Sequence, residues 1–579
     1  MLLIVITACA YIPAMRAGWI WDDAEYVRMN SPVISRSGLE QIWFEPASTP
    51  QYYPLVFTTL WLEYRLWGPA PRGYHLINVG LHIVNAILLW MLLLRLEVPG
   101  AFLAAGIFAL HPVEVESVAW VTELKNVLST TCYLLAVLFW LRFVESRRRL
   151  HYGAALGLFV GAMLSKTVTC TLPLVLILLT WWKAPRAWRW TLPRIVPFLI
   201  VAAGLSAITV WREPDEVHTS LSLIERLLIA GRAVWFYAAK LVFPVDLMMV
   251  YPQWTIDAHD PLQYIPLIAT LAVPITLWAL RHRIGTGPLV GVLFFLITLA
   301  PSLGVLSFAF MLISYVADHF QYLASIGLIA LCAAVVTSGV QRLAPTSRWL
   351  HQAIIGLIFV GLAVSTWRQA RIYKDEETLW RDNLAKNPQS SMAHWSLGQV
   401  LVQQGRVDDA IQEFAAAARP TPSHAGVYQD WAEALDAQGK SDQAMVQYET
   451  ALRLNPKMMM AHFHLGNLLF EQDRVDEASR HFAAAVQLDP NLAPLRVLFG
   501  TVLAQQGDMD AATHEFAEAV RLEPNYAGAH TAWAAALSAH GKLEDAVQHY
   551  EIAAQLQPGD AEAQRRVDAA RAELAARPQ

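Results

Sequence analysis

Two adjacent carboxylates, Asp22 and Asp23, stand in the run WDDAEYV directly after the first apolar stretch of the chain. Acidic groups at a membrane boundary are costly unless they are used or paired. One of the two can face a cavity while its neighbour turns away. An outward-facing carboxylate suits a general base for a hydroxyl nucleophile, or a ligand for a divalent cation. The pair can equally cap a helix or anchor a loop, and the dipeptide alone leaves both readings open. Further along, HPVEVESVAWVTELKN carries His111, Glu114, Glu116 and Lys125, and YVADHFQY carries Asp318, His319 and Tyr322. Lys125, Lys166, Arg212, Arg232 and Lys240 are cations able to stabilise a departing phosphate, or to contact lipid at the interface. Asp318, His319 and Tyr322 make a better pocket together than any one alone. His111 by itself reads as a hydrogen-bonded structural group, and its spacing to Glu114 and Glu116 is only weakly ligand-like.

The elements that must position these groups follow from an uneven composition. Of 579 residues, 55% are hydrophobic and the net charge is −5. Residues 1–366 hold 24 Lys/Arg and 19 Asp/Glu, whereas residues 367–579 hold 19 and 29. A single soluble domain, usually about 25% charged, does not have such a first part. Four cysteines exclude a disulfide-built module, and the balance excludes a strongly basic nucleic-acid binder. A polytopic membrane part followed by a soluble part remains.

A helix needs about 20 mostly apolar residues to cross the hydrocarbon core. Candidate spans lie near 2–17, 74–94, 99–110 with its continuation, 126–144, 152–166, 168–182, 195–211, 263–280, 286–306, 320–340 and 350–366, giving eleven, with ten or twelve as alternatives. The run 226–243 carries Arg226, Arg232 and Lys240 and reads as interfacial or re-entrant. The first run has no basic lead-in and no small-x-small cleavage site before Trp19, so it reads as a span with a start placed late. Alternate connections collect Arg95, Arg147, Arg148, Arg149, Lys183, Arg186, Arg189, Arg194, Arg281, Arg283, Arg342 and Arg348 against Glu97 and Glu145. The positive-inside rule places these in the cytoplasm, and Asp22, Asp23 and everything after residue 366 on the other side.

The second part repeats. Proline recurs every 34 residues at Pro422, Pro456, Pro490, Pro524 and Pro558, and alanine at Ala410, Ala444, Ala478, Ala512 and Ala546. Small residues (Gly398, Ala432, Gly466, Gly500, Ala534) and aromatics (Phe414, Tyr448, Phe482, Phe516, Tyr550) keep the same period. This matches the tetratricopeptide repeat (TPR): small residues let paired helices approach, the aromatic fills the gap, and proline ends the second helix. Five repeats occupy 391–560. Residues 367–390 form a juxtamembrane helix and degenerate half-repeat, and 561–579 a capping helix and tail. A peptide-binding groove would be lined by Trp395, Gln399, Phe463, Asn467 and Phe470, with Asn467 holding main-chain amides. The alternative is that Trp395 and Phe463 pack between helices.

The order Asp22-Asp23, QYYPLVFTTLWLEYRLWG, YHLINVGLHIVNAILLW, HPVEVESVAWVTELKNVLS and YVADHFQYLAS, then TPRs, resembles the transmembrane and TPR repeat-containing mannosyltransferase-like family. The resemblance covers nearly the whole chain. It implies an all-α fold: a GT-C-like transmembrane domain over 1–366, followed by a TPR α-solenoid. It also implies transfer of a mannose-like hexose from a polyprenyl-phosphate donor to protein Ser/Thr hydroxyls. The signature acidic position of the GT-C superfamily maps onto Asp22 and Asp23. Beside it, the residues themselves suggest a donor phosphate pocket from Lys125, Arg232, Lys240, Asp318, His319, Tyr322, His111 and Glu114, with a divalent cation possible and the TPRs recruiting the acceptor polypeptide. Two departures matter: the family places basic residues where Leu124 and Leu312-Ile313 stand here. Either the remaining cations suffice or the chain is a weak or inactive member. A membrane-tethered TPR scaffold and a polysaccharide polymerase or ligase are the rival readings. No N-x-Ser/Thr sequon occurs, which favours a bacterial inner membrane with periplasmic TPRs over an endoplasmic reticulum with luminal ones.

Overall fold

The computed structural model describes residues 1–212, 221–305, 309–343, 347–420 and 424–576, all of them helix, turn or coil. The Arg348 side chain and Pro422 lie outside the described residues. Packing divides the chain into two units, Met1–Ser396 and Leu397–Gln579.

The first unit is built mainly from helices, most of them apolar: α1 (Leu2–Ala10), α2 (Pro54–Trp67), α3 (Pro71–Arg95), α4 (Ala101–Leu110), α5 (Leu124–Ser146), α6 (Arg149–Met163), α7 (Leu172–Lys183), α8 (Trp188–Arg212), α9 (Leu223–Val242), α10 (Ile265–Ile284), α11 (Gly287–Leu299), α12 (Ser325–Leu343), α13 (Arg348–Ala370) and the short, polar α14 (Glu376–Lys386). Proline opens α2 and α3 at the first turn, where the missing N–H costs nothing. A capping box between Ser222 and Glu225 starts α9.

Among the described residues six helices are long and apolar enough to cross a membrane, and a seventh span results if the pair Ala101–Leu110 and Pro112–Ala119, bent by 50°, counts as one. The eleven-span reading rests on runs whose helices are shorter. The run 2–17 stays helical only to Ala10, with Pro13 just beyond, and 152–166 breaks after Met163. Hydropathy sees an apolar run; a helix needs unbroken backbone hydrogen bonds as well. Likewise the run 320–340 is helical only from Ser325, which leaves Asp318–Gln321 in a tight turn outside the span.

The second unit is a stack of helical hairpins. Its repeat positions behave as the period requires. A Cβ added to Gly398, Gly466 or Gly500 would lie 2.5, 3.2 or 2.7 Å from the ring of Phe414, Phe482 or Phe516, so each aromatic sits in the gap that glycine leaves. Second helices stop at Leu454, Leu488, Leu522 and Leu556, each two residues before the periodic proline. The last helix, Ala561–Ala575, is capped by Asp560, whose carboxylate accepts from the amides of Glu562 and Ala563.

Candidate active site

Three backbone anchors hold the WDDAEYV loop. The Gly18 amide donates to the Lys374 carbonyl at 2.8 Å, the Gly18 carbonyl pairs with His75 Nε2 of α3 at 3.1 Å, and Trp19 Nε1 donates to the Pro69 carbonyl at 3.1 Å. Trp21 then takes a left-handed φ of 47°, a conformation an aromatic residue adopts only when its surroundings impose it. Its ring lies stacked on Trp120 (5.3 Å, 5°) and edge-on to Trp380.

The turn gives the two carboxylates different roles. Asp23 is fully buried: one oxygen accepts from the Ile20 amide and the other from the Thr122 amide, each at 3.0 Å. It ties the first loop to the start of α5. Asp22 is only partly buried. Its Oδ1 accepts from Trp120 Nε1 (3.0 Å) and Thr122 Oγ1 (2.9 Å), while Oδ2 has no hydrogen bond among the described residues. Burial pushes the Asp22 carboxyl up to about 6, against the pull of nearby Lys125 and the Thr122 hydroxyl. A carboxylate with one free oxygen and a value near neutral is what a general base requires.

Beside Asp22 lies a buried charge network. Glu123 receives Lys125 Nζ at 2.9 Å and Lys166 Nζ at 3.4 Å. Lys166 also donates to Asn126 Oδ1 at 2.7 Å. Lys125 sits 5.6 Å from the ring centres of both Tyr26 and Trp120. His319 donates from Nδ1 to Glu116 Oε1 at 2.7 Å. Burial holds His319 down at about 3, so it is neutral. Asp318 is buried, with both oxygens 3.0 Å from the Tyr251 hydroxyl, and burial pushes it up to about 7.

The structure therefore brings together Asp22, Asp23, Lys125, Asp318 and His319. Tyr322 lies behind them, its hydroxyl on His82 Nδ1 (2.8 Å) and Asn85 Nδ2 (3.1 Å). Glu114 is buried nearby, beside Ser325. His111 is spent on backbone: Nε2 on the Leu241 carbonyl, Nδ1 on the Val113 amide. Lys240 donates to the carbonyls of Val245 and Asp246 at 2.6 and 3.2 Å. Arg232 is exposed, with its guanidinium 4.6 Å over Trp254. Of the two family departures, Leu124 is buried at the head of α5 and Leu312 is 55% exposed.

Sequence reasoning left out Glu123, Asn126, Tyr251 and Asn383. The ELKN spacing held a signal for the first two, because i and i+3 share a helix face. Among the described residues no three His, Cys, Asp or Glu side chains come together to hold a metal ion. Glu123 is committed to two lysines, Glu116 to His319 and Asp318 to Tyr251.

In the second unit Gln399 donates to Asp430 Oδ2 at 2.7 Å. Phe463 and Phe470 pack, partly buried, against the core around Leu465 and Phe482. Asn467 and Trp395 are both half-buried.

An apolar helical membrane unit bearing a buried charged site, followed by a TPR array, defines the class. The Tetratricopeptide repeat family model matches residues 377–425, 430–493 and 497–561. The chain is 25% identical over 462 residues to a protein O-mannosyl-transferase of Caenorhabditis elegans, covering 73% of this chain and 63% of that one. It is 31% identical over 173 residues to the Drosophila melanogaster protein O-mannosyl-transferase Tmtc1 (28% of this chain, 20% of that one). With the human protein O-mannosyl-transferase TMTC3 it shares 30% identity over 148 residues (24% and 16%). The family resemblance read from the motifs thus holds, although the chain spans less than two thirds of the length of these relatives. Among solved structures, the TPR protein YrrB matches with a TM-score of 0.31 at 21% identity, covering 32% of this chain and 96% of that one. The Thermus thermophilus TPR protein TTC0263 matches at 0.25 and 23% (31% and 99%).

Proposed function

We propose that the chain is a membrane glycosyltransferase that moves a mannose-like hexose from a polyprenyl-phosphate donor to Ser/Thr hydroxyls of a protein, outside the cytoplasm. The observation that carries this reading is the division of labour at the first loop: Asp23 anchors, and Asp22 offers a free oxygen beside Lys125. In the reaction Asp22 Oδ2 takes the proton of the acceptor hydroxyl. The hydroxyl oxygen forms a bond to the anomeric carbon as the bond from that carbon to the phosphate oxygen breaks. The leaving polyprenyl phosphate keeps the electron pair. A single base on one face inverts the anomeric centre. Lys125 and the exposed Arg232 are the cations offered to the phosphate, and no step is routed through a metal.

A donor carried by the bilayer suits a compartment without a pool of nucleotide sugars. The contact between Gly18 and Lys374 supports the topology read from the sequence, in which the basic loops stay in the cytoplasm and the Asp22 loop and the residues after 366 share the other side, the periplasm of a bacterial cell. The array then collects the acceptor polypeptide. Purified chain supplied with a polyprenyl-phosphate hexose and envelope protein should yield O-glycosylated product by mass spectrometry, and Asp22→Asn should abolish it. Undiminished transfer by that variant sinks the assignment. Sugar on glycan alone turns it into the polymerase or ligase reading.

A further inference from the structure

Helix α14 begins the stretch that the repeat model matches, yet it packs within the membrane unit. Its register shows why. The periodic aromatic is kept as Trp380, 34 residues before Phe414. The next conserved core position of the second helix is Ala417, Ala451, Ala485, Ala519 and Ala553 in the five repeats, each fully or almost fully buried. In α14 that position is Asn383, also buried. A buried amide in place of alanine is unfavourable unless both of its polar groups are used. Here they are: the Val250 amide donates to Asn383 Oδ1 at 2.8 Å, and Asn383 Nδ2 donates to the Val250 carbonyl at 3.3 Å. Asn387 Nδ2 reaches the same carbonyl at 3.4 Å, and Lys386 Nζ the Leu247 carbonyl at 2.7 Å. The residue after Val250 is Tyr251, whose hydroxyl holds Asp318. One turn earlier on the helix, Trp380 meets Trp21, the neighbour of Asp22. A single short helix therefore touches both sides of the site.

We propose that α14 is a wall of the candidate site and that Asn383 is a positioning residue, setting Asp318 through Val250 and Tyr251. The degenerate half-repeat lost its alanine because it stacks on the membrane unit and closes the site. Asp318 is faced by Tyr251, by Glu114 and Glu116, by Lys240 of α9, by Lys386 of α14 and by Tyr237 and Tyr373, so its acidity reports the arrangement.

The test uses the full-length protein in lipid nanodiscs, as wild type, Asn383→Ala, Tyr251→Phe and the double variant. Hydrogen exchange is followed over 246–254, 314–322 and the repeats. Asn383→Ala should speed exchange at least about tenfold over both 246–254 and 314–322, as expected for a lost buried bond of about 1.4 kcal/mol, and leave 424–560 unchanged. Tyr251→Phe, which keeps the Asn383 contact, should loosen 314–322 alone. In transfer assays Asn383→Ala should shift the pH profile upward, because the Asp318 carboxylate loses the Tyr251 hydroxyl, with no further shift in the Tyr251→Phe background. Unchanged exchange over 314–322, or shifts that add in the double variant, overturn the proposal. The activity arm rests on the transferase reading. A wild type that transfers nothing removes that reading and leaves the exchange arm to decide.

Discussion

Replacing each of the two adjacent aspartates by asparagine separates chemistry from architecture. In Asp22→Asn the side-chain carbonyl takes the place of Oδ1 and still accepts from Trp120 and Thr122. The new NH2 falls where Oδ2 had no partner. The stability change should stay below about 1 kcal/mol. The base is gone, so transfer should fall about 10²–10⁴-fold, equal to about 2.7–5.4 kcal/mol of barrier. Asp23→Asn is the opposite case. Both Asp23 oxygens accept backbone amides in a fully buried site, and asparagine has one acceptor. Its NH2 must face an N–H, which loses one bond and strands a buried donor, for about 2–4 kcal/mol in all. Thermal unfolding in detergent and a transfer assay, run on both variants, read the two quantities independently. The wild-type rate should also fall with acid as Asp22 protonates near pH 6, a limb absent from any residual activity of Asp22→Asn. The reasoning is refuted if Asp22→Asn unfolds as easily as Asp23→Asn, or if Asp23→Asn is the dead enzyme that keeps full stability.

Glu123→Gln should destabilise the membrane unit by about 3–5 kcal/mol, because it strands the ammonium groups of Lys125 and Lys166 in a buried site. Adding Lys166→Met should recover part of that loss in the same melting experiment. In the repeats Gly500→Ala places a methyl 2.7 Å from the Phe516 ring, and should cost about 1–3 kcal/mol, visible as faster proteolysis of 397–579. His462 and His481 share one proton between Nδ1 atoms 2.9 Å apart, and burial with its neighbour holds His481 down at about 4. A depressed histidine favours the fold above the unfolded value of about 6.5 and loses that contribution as pH falls through about 4. The array should therefore loosen between pH 6.5 and 4, and His481→Gln should flatten the fall when circular dichroism is followed against pH.

The repeat array was fully legible because a 34-residue period repeats the same packing problem, and Gly398, Gly466 and Gly500 answer it alike. Spans were less legible. Apolar composition continues through Tyr11–Pro13 and Leu164 although the helices end there, so runs outnumber long helices. At the site the Asp22-Asp23 pair announced itself, but adjacent residues look the same in a string. Only the turn at Trp21 and the two amides on Asp23 tell them apart. Glu123 was hidden because its partners come from Lys125 two residues on and Lys166 in another element. His111 read on its own as a hydrogen-bonded structural group, and backbone at Leu241 and Val113 takes both its nitrogens. Asn383 was visible only as the one break in a column of alanines, whose meaning required Val250.

The hydrogen bond from Gly18 to Lys374 also sets a clock for biosynthesis. The loop around Asp22 is made first, and its anchor follows roughly 350 residues later. At about 5–20 residues per second the ribosome needs some 20–70 s to deliver it. Until then the aspartate pair waits on an unfinished bundle, with Trp21 lacking Trp380 and Val250 lacking Asn383. A ribosome stalled anywhere before α14 therefore leaves a chain whose candidate site has never closed.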